Sequence, residues 1–198
     1  MGLIPDFEDG QSPLDPDEIE GLLVKTVSTR GELDEFEQLG VTKAIEWVRS
    51  NNFSSDTILS IDFIRQLHKV MFRDVWRWAG EFRNTNKNIG VDKYQIRIEL
   101  DNLMQDCVWW IRNGTFPPDE IAVRLNHRIV VIHPFSNGNG RHSRLLADVL
   151  ITKHYGLKRF SWGSRSLVKK GEARSAYLNA LKAADDMDYK PLLKFARS

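Results

Sequence analysis

The sequence predicts an all-α fold, a helical bundle carrying one small β-hairpin, and three observations lead there. Apolar residues recur every three or four positions through most of the chain. Proline, glycine and acidic residues mark starts and stops at the ends of those periodic segments. Strand-like alternation occurs once, so there is no succession of strands and helices from which a doubly wound sheet could be built.

Taken in order, the first dozen residues are rich in Gly, Pro and Asp and read as an irregular arm. LDPDEIEGLLV then opens a helix, with Asp15 as N-cap, Pro16 in the first turn and acids behind it. GELDEFEQLGVTKAIEWV has helical rhythm through Leu33, Phe36, Ala44 and Trp47, with an interruption expected at Gly40. SIDFIRQLHKVMFRDVWRWAG is the strongest helical pattern and is expected to run to Gly80. In EFRNTNKNIGVDKYQIRIEL, Asn and Gly cluster before Tyr94, Ile96 and Ile98 alternate with polar residues. That pattern predicts a hairpin with its tip near 90–93. Helical patterns resume in LDNLMQDCVWWIRNG, PPDEIAVRLNHRIVVI and RHSRLLADVLITKHYG, the last closed by Gly156. KGEARSAYLNALKAADDMDYKPLLKFA supplies one or two more. Trp76, Trp78, Trp109 and Trp110 read as core packing.

The 198 residues are enough for one domain with a proper core. The organisation expected is an N-terminal arm and helix over 1–30 and a compact domain over 31–198. A net charge of +1 gives no basic field, so no direct binding of nucleic acid is expected. Cys107 is the single cysteine, which excludes a disulfide within the chain and reads as a buried structural thiol. MGLIPDFEDG has no basic stretch leading into an apolar one, and Asp6 stands where a myristoylation motif needs Ser or Thr. No run approaches membrane-spanning length, so a cytoplasmic location without membrane contact is expected.

The chemistry concentrates in VVIHPFSNGNGRHSRLL. A helix ends at His133 and Pro134, a Gly/Asn turn follows, and Arg141 and Arg144 stand on one face of the next helix. Gly138 and Gly140 allow backbone angles at which successive N–H groups converge on an anion. The helix N-terminus adds partial positive charge, and guanidinium groups grip phosphate oxygens. His133 can take a proton near neutral pH. The pattern therefore reads as a polyphosphate site beside a base, although a tight interhelical turn with exposed arginines has the same spacing. It is neither a P-loop, which needs Gly-Lys-Ser/Thr, nor a dinucleotide fingerprint, which needs a third glycine and a preceding strand. A zinc site from His127, His133 and His142 is poorly supported, having no Cys and no close acid.

HPFSNGNGRHSR closely resembles the signature of the Fic-domain family, His-Pro-Phe-x-Asp/Glu-Gly-Asn-Gly-Arg-x-x-Arg. LHKVMFRDVWRWAGEFR is similar to the family's helix ending Trp-Ala-Gly-x-x-Arg, NKNIG with YQI to its flap hairpin, and YLNALKAADDMDYKPLLKFA to its C-terminal helices. The resemblance covers the chain from about Glu32 onward and implies the Fic fold. Overall length and TRGELDEFEQ are similar to a compact bacterial subgroup on mobile elements, the mobile mystery protein B subgroup, often encoded beside a helix-turn-helix protein as a partner.

The resemblance implies a protein adenylyltransferase that moves AMP from ATP, with Mg²⁺, to a Ser, Thr or Tyr hydroxyl of a target protein. It implies that His133 is the general base and Phe135 the anchor of the loop. Gly138, Asn139 and Gly140 would form the anion hole, with Arg141 at the β-phosphate and Arg144 at the γ-phosphate. The flap, with Ile89, Gly90, Tyr94 and Ile96, would pair with an extended stretch of the target, or else be an ordinary surface hairpin. One position departs: Asn137 stands where the family has the carboxylate that holds Mg²⁺, and a neutral amide oxygen is a weaker ligand. Ser28 and Glu32 have the spacing of the family's inhibitory Ser/Thr-x-x-x-Glu-Gly/Asn, whose Glu pairs with the second arginine, but Leu33 departs from it. Thr29 and Glu32 also form a capping box on their own. Alternatives with the same site are AMP removal, γ-phosphate transfer, or a catalytically weak interaction module.

Overall fold

Helix starts follow the caps written in the sequence. Thr29 Oγ1 accepts from the Glu32 N–H at 3.3 Å, and the Glu32 carboxylate accepts from the Thr29 N–H at 3.0 Å. That capping box begins α2 (Arg30–Ser50). Ser54 and Ser60 cap α3 (Ser55–Ile58) and α4 (Ile61–Phe72), each hydroxyl accepting one N–H, from Thr57 and Phe63. α1 (Pro16–Glu20) and α6 (Pro118–Ile132) start on proline, where the missing N–H costs nothing. α5 (Ile96–Asn113), α7 (Asn139–Val149), α8 (Lys170–Asp185) and α9 (Lys190–Arg197) complete the set. α7 continues into one π-type turn, Leu150–His154. These elements belong to a computed structural model that describes residues 16–164 and 170–198. The cap expected at Asp15 lies outside them.

α6 is the axis of the bundle. It packs on α5 on one side and on α7 on the other, α2 lies on α4, and α8 with α9 closes against α6. One continuous core runs through them, with Leu67, Met71, Leu125, Ile129, Leu146 and Leu192 fully buried. Each such side chain contributes about 1.5–3 kcal/mol of transfer free energy. The N-terminal segment joins this core through Leu22 and Val27, and its backbone pairs with the turns after α4, Leu23 N–H to Val75 O at 2.8 Å and Arg77 N–H to Gly21 O at 2.8 Å. Cys107 is buried, and desolvation pushes its thiol up to about 12, so it is an inert packing group.

Four expectations are corrected. α2 passes through Gly40 without a break, because Gly40 is the point of closest approach to α4. A Cβ there would lie 2.0 Å from the Met71 carbonyl oxygen. α4 stops at Phe72 instead of Gly80, and residues 73–80 form turns that carry Trp76 and Trp78 elsewhere. No β-hairpin forms over 81–95 among the described residues. The backbone there is satisfied by other groups: Lys93 N–H by Asn86 Oδ1 at 2.8 Å, Tyr94 N–H by Asp92 Oδ1 at 2.9 Å, and Val91 N–H by Ile132 O at 3.3 Å. The alternation at Tyr94, Ile96 and Ile98 is the start of α5, with Ile96 buried in the core. Trp109, expected in the core, is 57% exposed on α5. Among the described residues no helix is long and apolar enough to cross a membrane.

The Gly40 contact yields a test with an internal control. Gly40→Ala drives a methyl into the α4 backbone and is expected to destabilise the fold by about 1–3 kcal/mol or more. Gly31→Ala, with nothing within 4 Å, is expected to be neutral or stabilising, since alanine favours a helix. Urea unfolding of the two variants reads the contrast, and equal effects would exclude a tight α2–α4 contact.

Candidate active site

The motif loop joins α6 to α7, and its shape begins at His133. This residue ends α6 in the left-handed region, φ 53° and ψ 59°, a conformation costing a non-glycine residue about 1–2 kcal/mol. Pro134 disfavours helical geometry in the residue before it, so the chain must turn here. The turn leaves carbonyls of α6 without helical partners, and Arg83 collects them. Its Nε donates to His133 O at 2.7 Å, and Nη2 donates to Ile132 O at 3.5 Å and to Val91 O. Nη1 donates to Thr85 O at 2.8 Å, and the Arg83 N–H donates to Pro134 O at 3.0 Å. One buried guanidinium thus ties the loop start to the 81–95 segment.

Phe135 anchors the loop from below. It is fully buried, stacked on His68 at 3.7 Å between ring centroids and edge-on to His142 at 5.1 Å. The Gly80 N–H donates to His68 Nδ1 at 3.0 Å, which puts the proton of the neutral ring on Nε2. Nε2–H then donates to the Asn137 carbonyl at 3.1 Å. Asn139 closes the loop on itself: Oδ1 accepts from the Phe135 N–H at 2.9 Å and Nδ2 donates to Phe135 O at 2.7 Å. Its side chain is therefore a buried clip, and only its backbone N–H belongs to an anion hole.

Gly138 caps α7 at φ 79°, packed so closely on Phe72 that a Cβ would come within 2.5 Å of the ring. The first N–H groups of α7, from Asn139, Gly140 and Arg141, have no carbonyl one turn back and carry the helix's partial positive charge. Arg144 lies over the Tyr177 ring at 5.2 Å and donates from Nε to Gly140 O at 3.1 Å. Arg141 lies over Phe72 at 5.2 Å. The predicted base, helix N-terminus and two arginines thus all belong to one loop and the first turns of one helix.

Burial depresses the histidines here. His133 falls to about 4, chiefly by desolvation and then by the charges of Arg83 and Lys87, while a hydrogen bond to Val130 opposes the shift. The imidazole is therefore neutral and able to accept a proton at pH 7. His142 falls to about 4, and His68 is lowered too, both by desolvation. His142 Nε2 meets the Ile64 carbonyl at 2.9 Å, and His127 is engaged by Tyr189 at 3.1 Å and Asp185 at 2.8 Å. Among the described residues no three His, Cys, Asp or Glu groups could hold a metal, so the zinc reading has no support.

The segment over 81–95 covers His133. A Cβ on Gly90, whose φ is 102°, would lie 2.7 Å from His133 Cβ and 2.9 Å from Arg83 Nη2. Ile89 and Tyr94 are exposed beside it, whereas Ile96 is buried and offers no edge to a target. Glu32 stays in its cap, exposed, accepting from Ser28 N–H at 2.8 Å and Ser28 Oγ at 3.1 Å. The acid that reaches the motif is Glu37, one that the sequence pattern does not single out. Its buried carboxylate accepts from Trp76 Nε1 at 2.6 Å, Asn137 Nδ2 at 2.8 Å and Arg141 Nη2 at 2.6 Å. Glu37 is read from sequence as one more acid in a helix rich in them, and its fully buried side chain is what sets it apart.

Comparison with known proteins agrees with this geometry. The family model described as "Fic/DOC family" matches residues 58–151, which include α4, the 81–95 segment and the whole motif loop. The chain is 26% identical over 163 residues to "Protein adenylyltransferase Fic" of Aedes aegypti, covering 80% of this chain and 31% of that protein. It is 28% identical over 162 residues to the protein of the same name from Drosophila erecta, covering 80% and 31%. The chain thus spans about a third of the length of the curated relatives it matches. Among solved structures, a fragment of Fic-1 from C. elegans aligns with TM-score 0.68 at 22% identity, over 90% of this chain and 51% of that one. BepC from Bartonella tribocorum, solved with bound AMPPNP, aligns with TM-score 0.67 at 17% identity, over 92% and 97%. The chain thus has the fold of these solved Fic structures, and its residues 58–151 match the Fic/DOC family model.

Proposed function

We propose that the chain is a protein adenylyltransferase, moving AMP from ATP to a Ser, Thr or Tyr hydroxyl of a target protein. One observation carries the reading: a neutral, buried His133 stands directly before a helix N-terminus that bears Arg141 and Arg144. The names of the relatives and the AMPPNP bound to BepC support it. His133 takes the hydroxyl proton, the oxygen forms a bond to the α-phosphorus, and the bond to the leaving pyrophosphate breaks. The α7 N–H groups and the two arginines hold the phosphate oxygens, which is most of what phosphoryl-transfer chemistry asks of a protein.

Mg²⁺ fits the donor set in a limited way. Asn137 Nδ2 is spent on Glu37, so Oδ1 is the amide's oxygen for a hard cation. With no acidic cluster nearby among the described residues, the remaining ligands would be phosphate and water oxygens. Bound there, Mg²⁺ would neutralise phosphate charge. Glu32 reads best as a helix cap, since its carboxylate is held by Ser28 and Thr29.

Label from α-labelled ATP is expected to appear on protein, and His133→Ala is expected to lower transfer by about a hundredfold or more. Label from the γ position alone would mean kinase activity, and no label from either would mean an interaction module. Glu32→Gly is expected to leave transfer unchanged and to lower the unfolding temperature slightly, through loss of the capping box. A rise in transfer would restore Ser28 and Glu32 as inhibitory.

A pH profile tests the base. Because His133 is held near 4, the acid limb of kcat/KM is expected well below pH 6.5. Stability has the same sign. The unfolded histidine takes up its proton near the ordinary value of about 6.5 while the folded one does not. Stability is therefore full above that value and is lost as pH falls through about 4, for His133 and His142 alike. An acid limb at pH 6.5 or above would exclude His133 as the base.

A further inference from the structure

We infer that Glu37 is the carboxylate of the phosphate site, carried on α2 instead of on the motif loop, and that it positions Asn137 and Arg141 for Mg²⁺–nucleotide. The inference rests on the nucleotide reading above and extends it to a residue outside the motif.

The geometry is specific. Glu37 is fully buried, yet all of its recorded bonds are to donors: Trp76 Nε1 and Asn137 Nδ2 on Oε1, Arg141 Nη2 on Oε2. An acid is rarely buried unless its charge is paired and bonded, and here two of the three partners belong to the motif. Asn137 can meet this carboxylate only through its amide nitrogen, because its carbonyl oxygen would oppose the charge. The contact therefore fixes the amide, leaving Oδ1 as the free end, and a charged acceptor on the N–H side polarises that oxygen. Arg141 commits one N–H to Glu37 and is 24% exposed at its side chain, so other donors of its five remain for phosphate. A carboxylate at position 137 would face Glu37 across the same short gap. The asparagine and Glu37 thus act as one unit: the charge sits on α2, and the neutral oxygen sits on the loop.

A charge swap tests this. Wild type, Glu37→Gln, Asn137→Asp and the double variant are titrated with AMPPNP over a range of Mg²⁺, and their thermal unfolding is followed without nucleotide. Glu37→Gln is expected to weaken Mg²⁺–AMPPNP binding about tenfold or more, the usual cost of removing an outer-shell partner. Asn137→Asp alone is expected to weaken binding and lower the unfolding temperature, because two carboxylates then share one buried gap. The double variant, with one carboxylate again, is expected to recover most of both losses, a non-additivity that residues in contact show. A merely structural Glu37 would lower the unfolding temperature of Glu37→Gln and leave the Mg²⁺ requirement unchanged.

Losses that add in the double variant would overturn the inference, as would an Asn137→Asp protein that binds better than wild type with Glu37 present. If Glu37→Gln fails to fold, the double variant decides alone: a folded double supports the unit, and an unfolded one overturns it. Wild type that binds no AMPPNP at any Mg²⁺ concentration would fell the nucleotide reading and this inference with it. Binding by wild type without recovery in the double variant fells this inference only.

Discussion

The left-handed turn at His133 is the constraint on which the site depends. It ends α6 with its last carbonyls facing away from any helical partner, in a region closed to water. Leaving two such groups unbonded would cost several kcal/mol. Arg83 removes that cost at His133 O through Nε–H and shares Ile132 O with the Val91 N–H, and Pro134 prevents the chain from relaxing back into helix. The same guanidinium holds Thr85 and Val91, so the segment that covers His133 is fixed by the group that shapes the loop beneath it. The geometry of the candidate site and local stability are therefore one problem here. His133 is held in place because the carbonyls around it have been satisfied.

Burial then sets the chemistry. Three histidines, His68, His133 and His142, lie under or in the loop, and desolvation keeps all three neutral. For His68 and His142 neutrality is structural, since each uses one ring nitrogen on a backbone carbonyl, Asn137 O or Ile64 O. For His133 the neutral ring can receive a proton, and the surrounding cations Arg83 and Lys87 oppose its keeping one. The role of base proposed for His133 draws on both properties, since a base must accept a proton and then release it.

The helices and the core face were legible because apolar periodicity and caps are local properties. α4, α6 and α7 and the two C-terminal helices carry their signals in consecutive residues. The hairpin was misread because Tyr94, Ile96 and Ile98 satisfy a two-residue period by chance within a helix start, while their backbone partners lie far along the chain. Gly40 was misread for a related reason. A glycine that breaks a helix and one that admits a neighbouring backbone look alike in sequence. In the site, the motif residues were legible as a string, and Arg83 as the end of another. Glu37 was not, because its three partners lie 39, 100 and 104 positions away.

Gly40 and Glu37 are connected by more than their place on α2. A helix whose backbone comes this close to α4 has little freedom to slide or rotate, because any side chain at the contact would have to occupy the space of the Met71 carbonyl. Glu37 lies three residues before that contact, just under one turn, and so is carried by the most tightly fixed part of the helix. From there it reaches past the end of α4 to Trp76 and on to the motif loop. A carboxylate on a flexible surface helix would lose Arg141 to solvent screening and to its own side-chain entropy. Fixed by a backbone-to-backbone contact, the same carboxylate holds a guanidinium and an amide in one geometry. The close packing of two helices outside the motif thereby becomes part of the precision with which the proposed phosphate site is built.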